Sequence, residues 1–328
     1  MAVLPDPDDF SRYEAFKIHT TTYKTVGSHP ITLSVLAPEN LKCPATGAPT
    51  ILRFHGGGFV TGSALYPGFF PRHLLEYAIN HSAIIISPNY RLLPECRQSD
   101  ILADIEDAWQ WMLSSLPAYL ASVTNDSVKP DLTRIMTTGD SAGGYLSLMT
   151  GLNHPDGVRA VTAAYPCTDL KSRYFTEHYE KQLFVFPQMN LAELEAAHAA
   201  KMAESNTTVR SEDPTLSEIS LMVAYIQHGV IVHRFFDFDD PSQFPIERVE
   251  RGERFARGGV WIWHGKKDSV VPIEGTQKLF QALGKNDPEL RVRLVVDEEG
   301  EHGFDTELEI EESGLKETLD EVAKVWLA

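Results

Sequence analysis

Gly139-Asp140-Ser141-Ala142-Gly143 reads G-x-S-x-G between an apolar stretch at 134–138 and a helical pattern at 141–153. Such spacing suits a serine on a sharp strand-to-helix turn, where flanking glycines let the backbone bend and leave the hydroxyl at the tip. The N-terminus of the helix then directs free N–H groups at the place where negative charge would develop. A serine hydroxyl is a weak nucleophile near neutral pH, so it needs a base, and the base needs an orienting carboxylate. With the chain order Ser, Asp, His, the partners are Asp268, after the apolar stretch 260–263, and His302, after 292–296. Singly, each is an ordinary loop residue, and twelve histidines make coincidence easy. Their joint placement after successive strands carries the catalytic reading.

His55-Gly56-Gly57-Gly58 follows another apolar stretch, 50–54. A glycine run admits close approach of backbone N–H groups to a substrate, and together with the amide after the serine it can form an oxyanion hole. Gly57, Gly58 and Ala142 are the expected donors. A glycine run is also a common phosphate cradle, but no GK[ST] follows, which removes a P-loop. His55 is expected to hold the loop rather than to carry protons. Asp140 and Glu95 are expected in structural ion pairs or hydrogen bonds.

These residues need a scaffold that brings strand ends together. Residues 15–25 and 31–37 read as an antiparallel pair around a turn at 27–30. Stretches 50–54, 83–87, 134–138, 160–164, 260–263 and 292–296 are short, continuous and apolar, as strands covered on both faces should be. Helical patterns at 69–79, 100–115, 141–153, 275–283 and 315–326 alternate with them. The expectation is an α/β fold with a mostly parallel central sheet and helices on both faces. Residues 171–257 break the alternation, with helices at 191–205 and 217–227 and a Pro/Asp-rich stretch at 237–245. An excursion of that length reads as an inserted, helical cap, so 1–170 and 258–328 form the catalytic domain and 171–257 the cap. Its aromatic residues Tyr174, Phe175, Phe184, Phe186, Phe235 and Phe236 either form the cap's own core or line an acyl or alcohol pocket. Phe184, Phe186, Phe235 and Phe236 are the pocket candidates.

In a chain of 328 residues, 43% hydrophobic and 23% charged residues allow a sizeable core. The net charge of −17 repels phosphate backbones and anionic lipid, which disfavours nucleic acid as a partner. Cys43, Cys96 and Cys167 form no CxxC pair and are odd in number, so reduced thiols are expected. No stretch approaches 18 apolar residues, and the first ten lack a signal-peptide pattern. A cytoplasmic protein without stable membrane insertion is the expectation, with the sequons at Asn125 and Asn206 read as chance matches. No metal or organic cofactor is needed by this chemistry, and a homodimer is compatible with the sequence.

HGGGFVTGS at 55–63, NYRLLPE at 89–95, GDSAGG at 139–144, the Asp268 loop and EHGF at 301–304 together resemble the hormone-sensitive-lipase-like group of α/β-hydrolases, over roughly 50–167 and 258–305. The resemblance implies the α/β-hydrolase fold, a Ser141–Asp268–His302 triad and an oxyanion hole in the HGGG loop. It implies a serine carboxylic ester hydrolase acting on a small or medium-sized ester, a specialised metabolite among the candidates. Few residues precede the first strand, so a long N-terminal cap segment is expected to be missing or minimal. Two rivals stay open at this level: a lyase or cyclase on the same scaffold, and a ligand-binding receptor, which is expected to lack a complete triad.

Overall fold

The computed structural model describes residues 9–205 and 208–328; the sequon at Asn206 and most of the N-terminal segment lie outside them. Strands β1 (Phe16–Val26) and β2 (His29–Pro38) pair antiparallel around Gly27, whose φ of +61° is the left-handed conformation that glycine adopts without strain. The chain then alternates: β3 (Ala48–Phe54), α1 (Arg72–Asn80), β4 (Ile84–Pro88), α2 (Gln98–Ser114), α3 (Leu116–Thr124), β5 (Pro130–Gly139), α4 (Ala142–Asn153) and β6 (Ala160–Ala164). Five helices follow, α5 (Arg173–Thr176), α6 (Leu191–Ser205), α7 (Ile219–Gln227), α8 (Ile231–Phe235) and α9 (Pro245–Glu250). The alternation resumes with β7 (Val260–Gly265), α10 (Ile273–Asn286), β8 (Val292–Asp297) and α11 (Lys316–Trp326).

The strands form one sheet in the order β1-β2-β4-β3-β5-β6-β7-β8, antiparallel from β1 to β4 and parallel from there on. Because successive side chains point to opposite faces, the apolar runs feed two cores. Leu52, Phe54 and Ile135 join one with α2, α4 and α10, and Ile51, Ile85 and Met136 join the other with α1 and α11. The expected parallel sheet with helices on both faces is the observed one. No helix among the described residues is long and apolar enough to cross a membrane.

Local differences have local causes. The helix expected at 69–79 starts at Arg72, after Pro71; Pro67–Phe69 form a separate 3-10 turn. The segment after α2 is a second helix, α3, with Pro117 in its first turn, where a missing N–H is harmless, and with Leu116 and Leu120 buried beneath it. Strand β8 is only half buried, because it is the outer strand of the sheet. Between β6 and β7, α6 and α7 match the expected helices, and α9 packs against α4 and α10.

Candidate active site

At the end of β5 the backbone turns through Ser141 with φ 56° and ψ −118°, a conformation that costs a non-glycine residue about 1–3 kcal/mol. Bonds on all sides hold it: Ser141 N–H donates to Ala164 O (2.9 Å), Gly143 N–H to Asp140 O (2.7 Å), and Tyr145 N–H to Ser141 O (3.1 Å). The two glycines of the pattern are required by crowding. A Cβ on Gly139 would lie 2.2 Å from Gly143 O, and one on Gly143 would lie 2.1 Å from Phe54 O. Ser141 itself is 7% exposed, and its carbonyl accepts the N–H of Cys167 (3.4 Å), whose thiol burial pushes up to about 12.

Beside this turn runs the loop after β3. Gly57 and Gly58 have φ +104° and +60°, and Gly57 O accepts the N–H groups of Val60 (3.0 Å) and Thr61 (3.1 Å). That curl leaves the N–H groups of Gly57 and Gly58 without an acceptor among the described residues, and Ala142, as the first residue of α4, also has none. His55 stacks on Tyr90 (4.3 Å between centroids), whose hydroxyl donates to His55 O (2.7 Å). Burial pulls the imidazole down to about 3, so it stays neutral and holds the loop, as expected. Asp140 is also structural: burial pushes its carboxyl up to about 6 against the pull of the Arg53 guanidinium 2.8 Å away. Glu95 pairs with Arg210 (2.9 Å) and His198 (2.5 Å) of the 171–257 excursion.

Asp268 and His302 sit on the loops after β7 and β8. Parallel neighbours put both loops at the same edge of the sheet as the Ser141 turn. Asp268 Oδ2 lies 2.8 Å from His302 Nδ1 and 3.3 Å from His264 Nε2. Its Oδ1 accepts from Val270 N–H (2.9 Å) and Val271 N–H (2.8 Å). Burial raises the Asp268 carboxyl, but the charges and hydrogen bonds of His302 and His264 outweigh it and hold the group well below the usual range. Burial lowers His302, and the Asp268 charge, the Asp268 hydrogen bond and the charges of Asp140 and Glu301 outweigh it, so the imidazole sits above its ordinary value.

Of the pocket candidates, Phe184 stands beside His302, edge-on at 6.1 Å between centroids and 38% exposed. Phe236 is buried against Phe59, Tyr145 and Phe244, and so backs the glycine loop. Phe235 packs on Tyr225 (5.2 Å) in a separate hollow with Glu95 and His198, and Phe186 is half-buried beside Leu183. Phe175 belongs to the core, and Tyr174 donates its hydroxyl to Ser269 O (2.5 Å).

Sequence reasoning missed a second tier. His302 rests on the Tyr165 ring (4.5 Å), and Tyr165 donates to Asp305 Oδ1 (2.9 Å). Trp263 Nε1 donates to Asp305 Oδ2 (2.6 Å), with His73 Nε2 at 3.3 Å. Glu301 Oε1 accepts from Ser269 N–H and from His302 N–H. The only sequence signal was the presence of acids on either side of His302.

Residues 51–224 match a family model described as the α/β-hydrolase fold. A probable carboxylesterase, M8, of a Phoma species is 30% identical over 322 residues, covering 96% of this chain and 98% of the relative. The non-reducing polyketide synthase Preu6 of Preussia isomera is 26% identical over 83% of this chain, a stretch that is 13% of the synthase. Among solved structures, butyrate-bound esterase 2 of Thermogutta terrifontis superposes with a TM-score of 0.58 at 19% identity, covering 96% of this chain and 94% of that one.

Proposed function

Because the chain belongs to the hormone-sensitive-lipase-like group of the α/β-hydrolase family, we propose that it is a carboxylic ester hydrolase using Ser141, His302 and Asp268 as its triad. One observation carries the reading: a serine held at φ 56° beside three N–H groups, of Gly57, Gly58 and Ala142, that have no acceptor among the described residues. Strain of that kind and unengaged buried donors are both disfavoured, and an oxyanion is the ligand that makes use of them together. The likeness to a named carboxylesterase over nearly the whole of both chains supports the same activity.

With Nδ1 engaged by Asp268, His302 takes the Ser141 proton on Nε2 as the hydroxyl oxygen attacks the ester carbonyl. The carbonyl oxygen, now negative, is bound by the three amides; losing one donor in a comparable site costs about 2.7–4 kcal/mol of barrier. His302 then gives the proton to the departing alcohol as the carbonyl re-forms, leaving an acyl-enzyme. Water, deprotonated by the same imidazole, releases the carboxylic acid. Residues 171–257 act as the cap, and Phe184 beside His302 forms the apolar lip of the pocket. The likeness to a polyketide synthase segment supports an acyl group of polyketide type.

Ser141→Ala should abolish turnover of a small activated ester, and an organophosphorus probe should leave its adduct on Ser141 by mass spectrometry. Wild-type turnover in the variant, or labelling at another residue, would remove the assignment.

A further inference from the structure

Two loops must keep Asp268 and His302 in register, and their main-chain bonds stop short of both residues. Lys266 N–H donates to Asp297 O (2.7 Å) and Lys267 N–H to Gly300 O (3.0 Å). Beyond that point, apart from the Asp268–His302 bond itself, the join is made by the Glu301 side chain. Glu301 Oε1 accepts from Ser269 N–H at 2.6 Å and from His302 N–H at 2.8 Å. One carboxylate oxygen therefore binds the residue after the acid and the backbone of the base. Ser269 is also where the 171–257 excursion is fastened: its carbonyl accepts the Tyr174 hydroxyl and its Oγ accepts Phe184 N–H at 2.9 Å.

We propose that Glu301 is a positioning residue, which sets His302 against Asp268 and ties the Phe184 lip to the same junction. The proposal rests on the triad reading above. Two properties of the side chain serve this role. Its geometry closes the last gap between the two loops, so that removing it lets His302 drift relative to Ser141. Its charge lies beside the imidazole and favours the protonated form that arises when Ser141 gives up its proton. The other titratable groups facing His302 are Asp268 from the loop after β7, Asp140 from the turn after β5, and Tyr165 from the segment after β6. Glu301 is the one that also holds the backbone.

The test is the pH profile of kcat and kcat/KM on a small p-nitrophenyl ester for wild type, Glu301→Ala, Glu301→Gln, Glu301→Asp and Ser141→Ala. Glu301→Ala should lower kcat by about tenfold to a hundredfold, the usual penalty for a displaced catalytic group, with little change in KM. Glu301→Gln keeps an oxygen to accept both N–H groups but has no charge, so it should retain most of kcat while its acid limb moves to lower pH. Glu301→Asp keeps the charge on a shorter stem, so its acid limb should stay at the wild-type position. The proposal is overturned if Glu301→Ala retains wild-type kcat, or if the acid limb of Glu301→Gln stays in place. Should Glu301→Ala fail to fold, the Gln and Asp profiles decide the matter. Full activity in Ser141→Ala would instead sink the triad reading, which separates the two failures.

Discussion

Asp268 Oδ2 lies 2.8 Å from His302 Nδ1, and the other oxygen of the same carboxylate is occupied by two backbone N–H groups, those of Val270 and Val271. The carboxylate therefore has no freedom to turn, and it fixes which imidazole nitrogen carries the proton. Asp268→Asn would keep the two N–H bonds through its carbonyl oxygen and present an amide N–H₂ to Nδ1. The imidazole must then carry its proton on Nε2, the wrong nitrogen for accepting one from Ser141. We expect kcat to fall by about 10⁴ with the fold retained, as in other triads that lose the acid in this way. A loss below about tenfold, in a variant with native circular dichroism, would mean that Asp268 does not orient the base.

The same pair gives opposite pH trends for activity and stability. Asp268, Asp140 and Glu301 together outweigh burial and raise the His302 imidazole above its ordinary value. Turnover needs the neutral ring, so activity should rise with pH through an acid limb lying above about 6.5, the value of an unperturbed histidine. For stability the sign reverses. A histidine raised on folding contributes fully below its unfolded value and loses that contribution as pH rises through the folded one. Urea melts of wild type and His302→Gln across this window should converge toward the alkaline side. A gap that widens there would contradict the raised imidazole.

Gly57 and Gly58 separate two kinds of glycine requirement. Gly57 has φ +104°, and a Cβ there would lie 2.1 Å from Thr61 O, a backbone atom that cannot yield. Gly58 has φ +60°, and its Cβ would meet Met222 Cγ at 2.5 Å, part of a flexible side chain from α7. Gly57→Ala should therefore collapse the loop and remove activity. Gly58→Ala should lose activity in part, and Met222→Ala in the same chain should restore some of it, a coupling of about 0.5–3 kcal/mol in a double-mutant cycle. Additive losses would show that Met222 is not the obstacle.

The sheet, the Ser141 turn and the Asp268–His302 pair were legible because each leaves a local mark. Strands buried on both faces read as apolar runs, as 160–164 does at β6, and the Ser141 turn shows itself through glycines that no other residue can replace. The second tier leaves none. Glu301 and Asp305 find Ser269, Tyr165 and Trp263 only because β6, β7 and β8 are neighbours in the sheet, a long-range fact absent from their own surroundings in sequence. The aromatic set was equally opaque. Phe235 and Phe236 are adjacent in the chain, yet at the end of a short helix one turns to Tyr225 and the other to Phe59. Composition predicts that such rings are buried, not which surface each one covers.

Beneath the Ser141 turn, Arg53 and Asp140 form a buried pair whose removal should be felt as stability before catalysis. The Arg53 guanidinium donates to Asp140 Oδ1 (2.8 Å), Phe69 O (2.5 Å) and Ala64 O (3.2 Å), and lies 4.3 Å from the Phe70 ring centroid. Even so, burial keeps the Asp140 carboxyl up at about 6. A carboxyl raised on folding works against stability as pH climbs from its unfolded value, about 3.9, through the folded one. Taking away Arg53 removes the guanidinium charge that opposes this. Arg53→Met should destabilise the protein by about 3–5 kcal/mol at pH 8, where an unpaired carboxylate would have to be buried. At pH 5 the loss should be smaller, since Asp140 can then stay protonated. Arg53→Met combined with Asp140→Asn should cost less at pH 8 than the sum of the single changes, because neither charge is left alone. Equal losses at pH 5 and pH 8 in urea melts would place the effect in the carbonyl bonds and the Phe70 contact instead of the ion pair.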